Sequence, residues 1–141
     1  MARINYADPS GKPVKALAER IISERGSLLH LYRMLMHSAP IAEGWLGYLS
    51  SIRLHAKLDD ATRELAIMRI AHLNRAPYEA QQHAPIALRA GLSQAQLDAL
   101  DSPDPDLSLF DERQCAVLAY TDAMTISIQV PDTTFEAVKA Y

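Results

Sequence analysis

The sequence predicts an all-α fold, a bundle of about six to eight helices, on three observations. Apolar residues recur at helical spacing from about Val14 onward, and no segment sustains the two-residue alternation of a half-buried strand. Ser, Asp, Pro and Gly residues fall where helices start and stop.

The elements follow in order. A first helix is expected over residues 14–24 (VKALAERIISE), ending near Gly26. A second, short one over residues 28–37 turns Leu28, Leu29, Tyr32, Leu35 and Met36 inward. The third, residues 40–54, opens with Pro40 in its first turn, where a missing N–H costs nothing. Asp59 or Asp60 caps the fourth, which runs to about Asn74 and is apolar on nearly every side, as a buried helix is. Pro77 starts the fifth, which runs to Arg89 and stops at Gly91. Inside it, Pro85 deprives the Gln81 carbonyl of a donor and is expected to kink the helix beside His83.

The motif Ser93-x-x-Gln96 has capping-box form and opens a short helix. Residues 101–112 (DSPDPDLSLFDE) read as a solvated loop fixed by two prolines. Asp111 opens the next helix, to about Thr125; residues 127–131 (SIQVP) are β-prone but too short for a strand. Thr133-x-x-Glu136 opens a final helix with no glycine cap and only Lys139 near its end, as expected if the chain is truncated at Tyr141.

At 141 residues and 49% hydrophobic composition, residues 1–141 are expected to form a single domain with its own core, small enough for oligomerisation to add stability. The net charge of −3 is scattered, without a basic run or aromatic-basic interleaving, which argues against nucleic acid as a partner. No segment approaches the roughly 18 apolar residues of a membrane span, and the N-terminus lacks a signal-peptide core. A cytoplasmic protein with no membrane partner is expected. Cys115 is the only cysteine, so the chain has neither an internal disulfide nor a Cys-x-x-Cys pair.

Residues 60–93 carry the candidate site. Glu79 and His83 stand one helical turn apart, so they can bond each other or address one ligand together. His83 is the first choice for proton transfer, because imidazole exchanges protons near neutral pH. The alternative is a satisfied packing histidine. Glu79 either orients His83 or forms a solvent-facing pair worth about 0.3–0.5 kcal/mol.

Glu64 lies on the apolar fourth helix and needs a partner, either within a site or as a salt bridge to Arg63, Arg69 or an arginine of another helix. Glu64, Met68, Ala71 and Arg75 form one helical stripe with His72 on its flank, which makes Arg75 and His72 candidates for binding an anionic substrate. Tyr78 can donate a hydrogen bond to substrate or serve as packing with a wet tip. Trp45 reads as wall or core. The five histidines form no HExxH or similar pattern, so no metal and no other cofactor is expected.

The spacing from Glu64 to His83, with Asn74, Pro77 and Tyr78 between and Ala-Gly-Leu-Ser at 90–93 following, resembles the carboxymuconolactone decarboxylase family, which includes alkylhydroperoxidase D. The resemblance covers roughly residues 28–141, including LMHSAPIAEGWL, HAPIALRAGLS and FDERQCAVLAYTDAMT. It implies an alkylhydroperoxidase D-like helical bundle and a homo-oligomer, trimer or hexamer. The family pattern is a glutamate, a Cys-x-x-Cys beginning twelve residues later, and a histidine four after the second cysteine. Here the glutamate is Glu64 and the histidine His83, while Ala76 and Glu79 occupy the cysteine positions.

The peroxidase branch uses those cysteines as peroxidatic and resolving thiols, which alanine and glutamate cannot replace. The decarboxylase branch lacks the pair and keeps polar residues there. The resemblance therefore implies a cofactor-free enzyme acting by proton transfer or decarboxylation on a small carboxylated or lactone-like substrate, with His83, Glu64 and Glu79 as catalytic residues. The alternatives are a one-cysteine hydroperoxidase using Cys115 and a non-catalytic oligomer that binds a ligand.

Overall fold

The computed structural model describes residues 3–141, and those residues contain eight α-helices. The chain divides into two compact units, Met1–Lys57 and Leu58–Tyr141.

The first unit holds α1 (Lys15–Arg25), α2 (His30–Leu35) and α3 (Ala39–His55). α1 ends where expected: Gly26 takes a left-handed φ of 80°, and its N–H bonds the Ile22 carbonyl. α2 is shorter than the apolar spacing suggested, because Leu29 is extended and Met36 already closes the last turn with N–H bonds to Met34 and Tyr32. Its side chains still face inward. Tyr32 and Met36 are buried with Val14, Ala18, Ile21, Ala42 and Leu46, and Leu28, Leu29 and Leu35 pack against them. Trp45, expected as wall or core, is instead 39% exposed: Ala42 and Leu46 occupy the buried face of α3.

The second unit holds α4 (Asp60–Leu73), α5 (Pro77–Arg89), α6 (Gln94–Leu100), α7 (Glu112–Asp122) and α8 (Asp132–Lys139). Asp59 caps α4, its carboxylate accepting from the Thr62 N–H at 2.9 Å. Pro77 stands in the first turn of α5. The helix runs on through Pro85, with no interruption, because Pro85 and Gln81 are both exposed and water can replace the lost donor. At its end Gly91 has φ 107°, its N–H bonds Leu88 and that of Leu92 bonds Ala87, which closes a Schellman motif.

Both α6 and α7 begin with a full capping box, Ser93 with Gln96 and Asp111 with Gln114. The two boxes are joined: Gln96 Nε2 donates to Gln114 Oε1 at 3.1 Å and to the Leu109 carbonyl at 3.0 Å.

α4 is the central element, packed chiefly against α5 and α7. Leu65 and Met68 of α4 are buried with Ala87, Leu92, Leu97, Leu100, Phe110 and Leu118. Burial of one such leucine or methionine stabilises the fold by about 1.5–3 kcal/mol.

Three expectations need correction. Residues 101–112 are not simply a solvated loop: Leu107–Leu109 forms a 3-10 turn. The guanidinium of Arg69, buried on α4, also donates to the Leu100, Ser102 and Pro103 carbonyls at 3.0, 2.6 and 3.1 Å and ion-pairs with Asp122. After α7 the chain passes into a π-helical turn, Ala123–Ser127, and Ile128 leaves it at φ 64°. α8 starts at Asp132 with no side-chain cap, so Thr133 does not open it; Pro131, with φ already near −60°, leads the chain in. No strand occurs among the described residues.

Candidate functional site

The α4–α5 hairpin positions the site. Its turn is a second Schellman motif: the Ala76 N–H bonds the Ala71 carbonyl at 2.8 Å and the Arg75 N–H bonds the His72 carbonyl at 3.0 Å. The left-handed position falls on Arg75, φ 52°, where glycine is the usual residue. A side chain there costs about 1 kcal/mol relative to glycine. The turn folds α5 back along α4 and brings His83 opposite Glu64.

These two residues meet. His83 Nδ1 and Glu64 Oε2 are 2.6 Å apart, with the His83 side chain 10% exposed and that of Glu64 1% exposed. An ionised carboxylate only accepts, so the ring donates through Nδ1–H, and Nε2 is left as the exchanging nitrogen. Nε2 faces Glu79 Oε2 at 3.8 Å, beyond hydrogen-bond length but within ion-pair range when the ring is protonated. Glu79 is 46% exposed at the side chain and so is in contact with water.

The other oxygen of Glu64 lies 3.4 Å from Arg63 Nε, and Arg63 also pairs with Asp60 at 2.9 Å. Of the partners the sequence offered Glu64, Arg63 is therefore present, whereas Arg69 is committed to Asp122. The resulting chain runs Arg63, Glu64, His83, Glu79, with Glu64 its most buried member and Glu79 its most exposed. It can fix one imidazole tautomer and relay a proton between the buried ring and water.

The remaining expected residues lie elsewhere. Tyr78 is in the first turn of α5 and 38% exposed. Arg75 and His72 are at the hairpin tip, where His72 Nδ1 meets Asp101 Oδ1 at 2.8 Å. A cavity of about 410 Å³ there is lined by Ala71, His72, Arg75, Ala76, Pro77, Ala80 and Asp101. A neighbouring one of about 310 Å³ shares His72, Arg75 and Asp101. His83 lines neither. Along α4 His72 is just over two turns from Glu64, about 12 Å by helical rise, and Arg75 lies beyond the helix end at Leu73.

Sequence reasoning misses Asp101, which reads as part of a solvated loop; no local signal connects it to His72, 29 residues earlier. Cys115 is half-buried on α7, with Sγ 3.7 Å from the Phe110 carbonyl and 3.8 Å from that of Leu107. Among the described residues no three His, Cys, Asp or Glu side chains are placed to hold a metal ion. No described helix is long and apolar enough to cross a membrane.

The described residues form an all-helical, alkylhydroperoxidase D-like fold, as the structural likeness below bears out. Residues 39–104 match the carboxymuconolactone decarboxylase family. Over 99% of its length the chain is similar to an uncharacterized peroxidase-related protein from Silicibacter sp. TM1040, of which the match covers 73%. The TM-score is 0.79 and the identity 15%, a likeness of fold. Among curated proteins, none matches the sequence.

Proposed function

We propose that this protein is a cofactor-free enzyme in which His83 transfers a proton to a small carboxylated or lactone-like substrate, the decarboxylation of a carboxymuconolactone being the model reaction. The observation that carries this reading is the buried His83–Glu64 pair at 2.6 Å, with His83 Nε2 3.8 Å from Glu79 Oε2. The match of residues 39–104 to the carboxymuconolactone decarboxylase family supports the substrate class.

In such a lactone the carboxylate is on a ring carbon beside the ring oxygen and next to the ring double bond. Breaking its C–C bond releases carbon dioxide and sends the electron pair through that double bond into the lactone carbonyl, giving a dienolate. Protonation of ring carbon completes the reaction. His83 in its imidazolium form supplies that proton from Nε2. Glu64 holds the ring by Nδ1 and stabilises its charge, and Glu79 passes a replacement proton from water. Tyr78 offers a hydroxyl to the enolate oxygen. Arg75 and His72, at the hairpin tip more than two turns along α4 from Glu64, do not enter the proton transfer.

A dithiol peroxidase cycle has no counterpart in a chain with one cysteine. A one-cysteine hydroperoxidase using Cys115 is the competing reading, favoured only by the likeness to a peroxidase-related protein. A homo-oligomer, trimer or hexamer, belongs to the same proposal: Ile41, Trp45, Tyr48 and Ile52 form an exposed apolar stripe on α3 that a second copy would cover. Light scattering measures that mass.

The test is loss of carboxymuconolactone absorbance on adding purified protein, without metal or thiol, beside His83→Ala and the protein alkylated at Cys115. Turnover that vanishes in His83→Ala and survives alkylation is expected. Turnover within a few fold of wild type in His83→Ala refutes the role of His83, and thiol-dependent peroxide reduction abolished by alkylation favours the hydroperoxidase.

A further inference from the structure

We infer that the cavity at the tip of the α4–α5 hairpin is a binding site for a small organic carboxylate with a short apolar or aromatic body, held by Arg75 and walled by His72 and three alanines. This goes beyond the proton-transfer reading and does not depend on it.

The first observation is Arg75 itself. It occupies the left-handed position of the turn, where glycine would sit without strain, yet among the described residues its guanidinium makes no hydrogen bond or ion pair. The fold thus gains nothing visible from this arginine and carries its strain. Backbone strain of this kind persists where a side chain is needed in one place. Arg75 lines both cavities, so a full positive charge with five donors stands at their shared wall.

The rest of the wall defines the ligand. Ala71, Ala76, Ala80 and Pro77 present methyl and ring carbons with no polar group, which suits an apolar body of a few carbons in about 410 Å³. A planar carboxylate matches the guanidinium fork in a bidentate pair. Asp101 lines the same space but its carboxylate is occupied by His72 Nδ1 at 2.8 Å. Its negative charge tolerates a monoanion beside Arg75 and disfavours the dianion of phosphate. On the same His72 ring, Nε2 is buried without a hydrogen-bond partner among the described residues.

The experiment is calorimetric titration of the full chain with benzoate and, separately, with inorganic phosphate, on wild type, Arg75→Gly, Arg75→Gln and His83→Ala. Benzoate is expected to bind wild type and His83→Ala within about twofold of each other, and to bind both Arg75 variants about tenfold or more weakly. Phosphate is expected to bind wild type more weakly than benzoate. Arg75→Gly should also melt at or above the wild-type temperature, since glycine relieves φ 52°. Absence of benzoate binding in wild type, or binding by both Arg75 variants within about twofold of wild type, overturns the site. Loss of binding in His83→Ala assigns the benzoate to the proton-transfer site and overturns it equally; phosphate binding as tight as benzoate overturns the carboxylate class.

Discussion

Whether His83 is oriented by Glu64 or by Glu79 can be decided by a double-mutant cycle on stability, because the two carboxylates differ sharply in geometry. The Glu64 contact is 2.6 Å long between side chains 1% and 10% exposed, and a charge-assisted bond in that setting is worth about 1.5–3 kcal/mol. The Glu79 contact is 3.8 Å with the carboxylate 46% exposed, and a pair of that kind is worth about 0–1 kcal/mol. The coupling between Glu64→Ala and His83→Ala is therefore expected near 2 kcal/mol, about a thirtyfold effect on the unfolding equilibrium, and that between Glu79→Ala and His83→Ala near 0.5 kcal/mol or below. Urea unfolding of the wild type, the three single variants and the two doubles gives both values. A Glu64–His83 coupling under about 0.5 kcal/mol, or a larger one for Glu79, refutes the orientation on which the proton-transfer reading rests.

Further outcomes are expected. Arg69→Ala strands the Asp122 carboxylate and three loop carbonyls and should destabilise the fold by about 3–5 kcal/mol in the same urea assay, against less than 1 kcal/mol if the loop is held by its prolines alone. Gly91→Ala forces a methyl-bearing residue to φ 107° and should cost about 1–2 kcal/mol. The Asp59 carboxyl is held below its ordinary value by the Thr62 backbone N–H, with the Thr62 hydroxyl and Arg113 adding to it. A lowered value means stability present above the unfolded carboxylate range and lost as pH falls through the folded one, so the melting-temperature gap between wild type and Asp59→Asn should shrink below about pH 4. A gap that widens on acidification contradicts that sign. Cys115→Ser should leave any decarboxylase turnover unchanged, and a large loss would return the thiol to the mechanism.

Much of the fold was legible along the chain. The all-α class, the Asp59 cap, Pro77 at the start of α5, the Ser93–Gln96 box and Gly91 at the end of α5 all depend on hydrogen bonds spanning five residues or fewer. Where local signals failed, a competing local term or a distant partner was responsible. Thr133 lost the start of α8 to Pro131, whose ring fixes the dihedral two residues earlier than the expected cap. The acidic run after α6 looked solvated, yet Arg69 reaches two of its carbonyls from more than thirty residues away.

The site divides along the same line. Residue types and the 19-residue spacing from Glu64 to His83 were in the sequence, and they carried the resemblance to the carboxymuconolactone decarboxylase family. That the two side chains share one short hydrogen bond, while His72 turns to Asp101 and Arg75 lines the cavity at the hairpin tip, was decided only in three dimensions. The physical reason is range. A cap or a helical turn is written within four residues, where backbone geometry fixes who meets whom. Contacts across 19, 29 or 53 residues depend on how the hairpin turns at Arg75 and how α4 packs against its neighbours, and no single residue along the chain carries that information.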